Sequence, residues 1–272
     1  MSPLVLSLLL TTPLSPGQPV LPAGERPGIL REIGFDQKLG DAAPLDAVFR
    51  DEAGRAVRLG DFFGRRPVVL NLVYFDCPML CTVSLNGLVS ALGVVSSTPG
   101  RDFELVTISF DPRETPGLAA AKKRAYLARY ARPEAEAGWH FLTGERAEID
   151  RVTRAVGFRY AWDEETKQFA HPAGLVVLTP SGLVSRYLFG IEYAPRDLRL
   201  ALVESGEGKI GGPVDAFLLY CFQYNPLTGR YSASILNVVR LLSVLTVVAL
   251  GGFIYLMRRR ERATRGPLGR PV

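Results

Sequence analysis

Cys77 and Cys81 stand four residues apart, directly after the apolar run of residues 67–75, PVVLNLVYF. A β-branched and aromatic run without charge predicts a strand buried on both faces. Leu85, Leu88, Val89, Leu92 and Val95 then recur at helical spacing. The two thiols therefore fall at a strand-to-helix corner, where open α/β sheets bind their ligands. Residues four apart on a helix share a face, with Cβ atoms about 5–6 Å apart. Two sulfurs so placed can clamp one metal ion or, with local adjustment, join as a disulfide; otherwise they are buried, inert thiols. Pro78 suits the first turn of the helix. A helix N-terminus also favours thiolate, the form that binds metal and attacks disulfides.

Two thiolates make an incomplete metal site, and the chain has only two histidines, His140 and His171. His140 lies inside the strand-like segment Trp139-His140-Phe141-Leu142 and reads as a packed or edge histidine. His171, followed by Pro172, enters the apolar run of residues 174–178, and beside a dithiol corner it is the natural third ligand. A Cys₂His set suits a soft ion of low coordination number, because thiolates select Cu(I) and imidazole tolerates both copper states. Structural zinc normally takes four protein ligands. Cys221 could supply a fourth, but it is distant in sequence, within Leu218-Leu219-Tyr220-Cys221-Phe222, where it reads as a buried or interfacial thiol.

Other chemistries fit less well. The chain has no CxxCH for covalent haem and no glycine-rich phosphate loop. The thioredoxin motif is CxxC, whereas this one is CxxxC. A peroxiredoxin-type peroxidase would have Thr where Tyr74 stands. Three cysteines exclude a framework of several disulfides.

The 272 residues allow one or two domains. The formal net charge is +5, and residues 258–272, with six Arg and one Glu, carry all of it, so no basic nucleic-acid face is indicated. The pattern predicts strands at 67–75, 103–110 and 139–142, and a hairpin of 169–178 with 183–188 around Pro180-Ser181-Gly182. It predicts helices from Pro116 to about Ala131 with Thr115 as N-cap, at 145–156 and at 195–203. Alternation of this kind implies an α/β sheet with crossover helices. No internal repeat is present.

The expected organisation is a weak, Pro-rich signal-like stretch at 1–24, a domain at 25–210, a linker at 211–234, a transmembrane helix at 235–257 and a basic cytoplasmic tail at 258–272. Residues 241–257 carry no charge, and about twenty helical residues cross a ~30 Å hydrocarbon core. The arginines that follow place the tail in the cytoplasm and the N-terminal domain outside the plasma membrane.

The run Tyr74-Phe75-Asp76-Cys77-Pro78-Met79-Leu80-Cys81, with His171 ninety residues after Cys81, resembles the Sco/SenC copper chaperones. The segments Ser109-Phe110-Asp111-Pro112-Arg113-Glu114-Thr115-Pro116 and Trp139-His140-Phe141-Leu142-Thr143-Gly144 resemble that family as well. The resemblance covers about residues 30–205. It implies a thioredoxin-like α/β fold, a membrane tether, and copper on Cys77, Cys81 and His171, with Asp111 as a supporting acidic residue. It further implies delivery of copper to, or thiol reduction of, the dinuclear copper site of cytochrome c oxidase subunit II. The chain departs from the family in its C-terminal rather than N-terminal apolar segment, in Thr82 where a second Pro is common, and in Pro172 where a small residue is frequent.

Three readings follow. The first is a membrane-anchored chaperone that takes Cu(I) or Cu(II) on Cys77, Cys81 and His171 and passes it to an oxidase subunit. The second is a thiol-disulfide oxidoreductase in which Cys77 and Cys81 are the redox-active pair. The third is a redox or copper sensor.

Overall fold

The computed structural model describes residues 28–77, 80–211 and 233–264. Residues 1–24, Pro78, Cys221 with most of its linker, and the tail beyond Thr264 lie outside the described residues.

In chain order, α1 (Ile29–Glu32) and β1 (Gly34–Phe35) precede a hairpin of β2 (Val48–Arg50) and β3 (Ala56–Arg58). The main body follows as β4 (Val68–Val73), α2 (Leu80–Val94), β5 (Glu104–Ser109), α3 (Pro116–Tyr130), β6 (Trp139–Leu142) and α4 (Arg146–Ala155). Then come β7 (Phe158–Arg159), a second hairpin of β8 (Ala161–Asp163) and β9 (Gln168–Ala170), strands β10 (Gly174–Leu178) and β11 (Val184–Phe189), and helix α5 (Pro195–Gly206). Helix α6 (Ala233–Thr264) ends the described chain.

Five strands form the central sheet in the order β11-β10-β4-β5-β6. β4, β5 and β6 are parallel; β10 runs antiparallel to β4, and β11 antiparallel to β10. All six residues of β4 are buried, as its uninterrupted apolar character requires of a central strand. Asn71 is the one polar side chain in that strand. Thr115 caps α3 by accepting from the Leu118 N–H, with Pro116 at the first helical position. Trp139, Phe75, Phe110 and Phe141 are among the largest fully buried side chains.

α2 contacts both α3 and α5. It also runs against the loop after β11 so closely that a Cβ on Gly87 would overlap the Ile191 carbonyl. Overpacking of a rigid contact costs about 1–3 kcal/mol. Gly87→Ala is therefore expected to lower the urea midpoint by a matching amount. An unchanged midpoint would mean that this approach has slack.

Two expectations are corrected. Residues 169–178 are not one strand: β9 ends at Ala170 and pairs with β8, and β10 begins at Gly174 in the central sheet. The α/β sheet stands, but the transmembrane helix expected at 235–257 does not: among the described residues no helix is long and apolar enough to cross a membrane. α6 is 32 residues long, and its uncharged stretch, residues 241–257 between Arg240 and Arg258, makes only about 25 Å of helix against a core of about 30 Å.

Candidate metal centre

Sheet order brings the sequence-distant residues together. Leu175 of β10 pairs with Asn71 of β4 and Leu178 with Val68. Because the two strands are antiparallel, the chain enters β10 at the end of the sheet where it leaves β4. β5 is parallel to β4 and ends beside it, Ser109 opposite Val73. Three segments therefore meet at one edge: the loop after β4 with Cys77, the loop after β5 with Asp111 and Glu114, and His171 just before β10.

Ligand atoms of Cys77, Cys81 and His171 lie within 4.8 Å of one another, and all three residues are buried. The Cys81 N–H donates to Cys77 Sγ at 3.3 Å, the helix-start geometry that favours a thiolate. The Tyr74 N–H donates to Cys81 Sγ at 3.5 Å, and Cys81 Sγ lies 3.2 Å from His171 Nε2. His171 Nδ1 sits 2.9 Å from the Pro172 carbonyl oxygen. A carbonyl can only accept, so Nδ1 carries the proton and the Nε2 lone pair faces the sulfurs. A backbone carbonyl in this position commonly fixes the tautomer of a metal-binding imidazole.

The ring is held by aromatic edges, Phe110 at 5.1 Å and Tyr74 at 5.8 Å between centroids. Phe169 packs on both of these, at 5.6 Å from Phe110 and 5.7 Å from Tyr74. His171 thus packs among aromatic rings, with Nε2 directed at Cys81.

The two thiols are electrostatically unequal. Cys77 is held far below the ordinary thiol range by the side-chain hydrogen bond from Cys81, against the opposing effect of burial, with further help from the Cys81 N–H and the Tyr74 hydroxyl. Cys81 is pushed up, first by burial and then by its neighbour Cys77. Burial likewise raises Tyr74, whose phenol is hydrogen-bonded to Cys77. The metal-free pair therefore holds one thiolate, on Cys77, and one thiol, on Cys81.

One thiolate, one thiol that can lose its proton and one imidazole nitrogen with a free lone pair form a soft N,S donor set. Among the described residues this is the only such group of three or more metal-ligating side chains. It fits a three-coordinate soft ion, and among the described residues no fourth ligand of the kind structural zinc takes joins the group.

The other sequence candidates are placed elsewhere. His140, on edge strand β6, lies 3.3 Å from Glu104 and packs on Phe62 at 4.3 Å. Glu104 also accepts from Arg66, so this histidine belongs to a polar cluster on the sheet edge. Asp111 does not touch the three ligands: its carboxylate takes both Nε and Nη2 of Arg113, at 2.8 and 2.7 Å. Cys221 lies outside the described residues.

The acid that touches the cysteine loop is Glu114, which sequence reasoning did not single out. It accepts from the N–H groups of Phe75 at 2.7 Å and Asp76 at 2.6 Å, and from the Ser109 hydroxyl at 2.5 Å. Burial raises its pKa, while these three hydrogen bonds favour the carboxylate. The available signal was its place in Asp111-Pro112-Arg113-Glu114-Thr115, one residue before a helix cap.

A protein-family model described as SCO1/SenC matches residues 42–201. No curated protein matches the chain. Among solved structures, a protein of Aquifex aeolicus VF5 named for electron transfer is 25% identical, with 63% of this chain and 96% of that one aligned and a TM-score of 0.56. BsSco, a member of the Sco family of cytochrome c oxidase assembly proteins with an identified disulfide switch, is 18% identical over 64% of this chain and 98% of its own, with a TM-score of 0.50. Arabidopsis thaliana ScoI with copper bound is 21% identical over 63% and 99%, with a TM-score of 0.48.

Proposed function

The chain belongs to the SCO1/SenC family, and from that membership we propose that it takes copper on Cys77, Cys81 and His171 and hands it to an acceptor during cytochrome c oxidase assembly. The observation that carries this reading is the convergence of two sulfurs and one imidazole nitrogen within 4.8 Å in a buried pocket. Soft thiolates favour Cu(I), and three ligands leave the ion open to attack by a fourth. Copper is cargo here: it leaves by exchange of protein thiolates for acceptor ligands, with no change of oxidation state during the handover. The proposed acceptor is the dinuclear copper site of oxidase subunit II.

The test is a transfer assay. Full-length chain loaded with one equivalent of Cu(I) is mixed with the copper-free soluble domain of subunit II, and copper is measured on each after separation. The expected result is loss from the donor matched by gain on the acceptor. Copper that stays on the donor would overturn delivery as the function.

A second reading draws on the unequal thiols. A thiolate at Cys77 beside a protonated Cys81 is the arrangement from which a thiol attacks a disulfide, with the partner thiol resolving the mixed disulfide. In that case the metal-free chain reduces the acceptor's cystine, ends with a Cys77–Cys81 disulfide, and works nearly as well with His171→Ala.

A further inference from the structure

The metal-site reading leaves open what holds its two halves in register. Cys77 and His171 come from segments 94 residues apart, and side chains of the loop after β5 touch both segments. Two neighbouring side chains of that loop reach in opposite senses. Glu114 accepts the Phe75 and Asp76 N–H groups, the last two before Cys77. Phe75 is buried at the strand end, where its N–H needs an acceptor, and this carboxylate supplies one for it and for the next residue of the cysteine loop. Arg113 is fixed by hydrogen bonds from Nε and Nη2 to the Asp111 carboxylate, and its guanidinium lies 4.8 Å over Trp162 and 5.5 Å over Phe169. Those two rings are the cross-strand pair of the β8–β9 hairpin, packed at 4.9 Å. The hairpin ends at Ala170, and the next residue is His171.

On the premise that Cys77, Cys81 and His171 hold the metal, we propose that Arg113 and Glu114 are positioning residues that clamp its two halves separately: Glu114 sets the cysteine loop, and Arg113, steadied by Asp111, sets the hairpin that presents His171. The two hands differ in strength. Glu114 works from a half-buried carboxylate with three donors, whereas the Arg113 side chain is 63% exposed. An exposed arginine stacked on aromatic rings is the weaker hold. His171 is therefore the ligand freed first when copper leaves. An acidic acceptor surface that competes with Asp111 for Arg113 would loosen it.

The test is a double-mutant cycle on the full-length chain, with Cu(I) affinity as the readout and a urea midpoint to confirm folding. Arg113→Met is expected to weaken binding about tenfold in the parent and to have no further effect in the His171→Ala background, since its role runs through that residue. Glu114→Gln is expected to weaken binding about 10- to 100-fold in both backgrounds. A loss from Arg113→Met that is equal in both backgrounds, or absent in both, would overturn the proposal.

Failure of the parent to bind Cu(I) would instead overturn the metal-site reading. The metal-free chain still decides the clamp in that event, through the rate at which diethyl pyrocarbonate modifies the buried His171, followed by mass spectrometry. Arg113→Met is expected to speed modification of His171 with His140 unaffected, and Glu114→Gln to leave His171 at the parental rate. An unchanged His171 rate in Arg113→Met would refute the clamp.

Discussion

Replacing any one of Cys77, Cys81 or His171 with alanine is expected to lower copper affinity by more than about 100-fold, while His140→Ala leaves it at the parental value. The asymmetry follows from where the structure puts the two histidines. His171 offers a free Nε2 lone pair 3.2 Å from Cys81 Sγ, with its other nitrogen committed to the Pro172 carbonyl. His140 spends its Nε2 on Glu104, on the edge strand of the sheet. Among the described residues no fourth His, Cys, Asp or Glu joins the group, so loss of one ligand leaves two of its donors. Cys81 is the most buried of the three, at 2% exposure, and it accepts the Tyr74 N–H. Serine is therefore the better replacement there, since it keeps the volume and the acceptor. Competition of each variant with a Cu(I) chelator gives the affinities. A loss at His140 equal to that at His171 would refute the ligand assignment.

The second large effect is on pH. Copper needs both sulfurs as thiolates, and the pair begins with one. Cys77 is already ionised near neutrality because its folded pKa is depressed, chiefly by the Cys81 hydrogen bond. Cys81 is still protonated because burial raises it. Binding then displaces a single cysteine proton, from Cys81. Affinity falls as acid is added, by about tenfold per pH unit between about pH 7 and 9. Two ordinary, uncoupled thiols would each add a proton to that count below about pH 8. The measurement is Cu(I) affinity across that window, together with proton release in weak buffer. One proton per copper is expected; two would contradict the unequal pair.

The corner with Cys77 and Cys81 was legible because an uncharged β-branched run followed by helical spacing has few other solutions. His171 was legible only in company: alone it is a loop histidine, and the antiparallel pairing of β10 with β4 makes it a neighbour of the cysteines. Glu114 was not legible. Its partners, Phe75 and Asp76, lie 39 and 38 residues away, and no local pattern announces that a carboxylate will accept their N–H groups. The β8–β9 hairpin was missed for a different reason. Its turn runs through Asp163 to Lys167 with neither Gly nor Pro, and Lys167 takes the left-handed conformation, φ 54°, that usually signals Gly or Asn. Asp163 holds the turn by accepting from the Glu165 N–H and the Thr166 hydroxyl. The corrected membrane helix shows the reverse error. The expectation reached spanning length only by extending the uncharged residues 241–257 back to 235 across Arg240, whereas a span needs length clear of flanking arginines.

The most direct test of the metal centre is X-ray absorption at the copper edge on the full-length chain carrying one equivalent of Cu(I). The account predicts one tightly held copper with two sulfur neighbours and one imidazole nitrogen, and loss of the nitrogen shell in His171→Ala with both sulfurs kept. A shell of nitrogen and oxygen without sulfur, or a spectrum indifferent to His171→Ala, would contradict it.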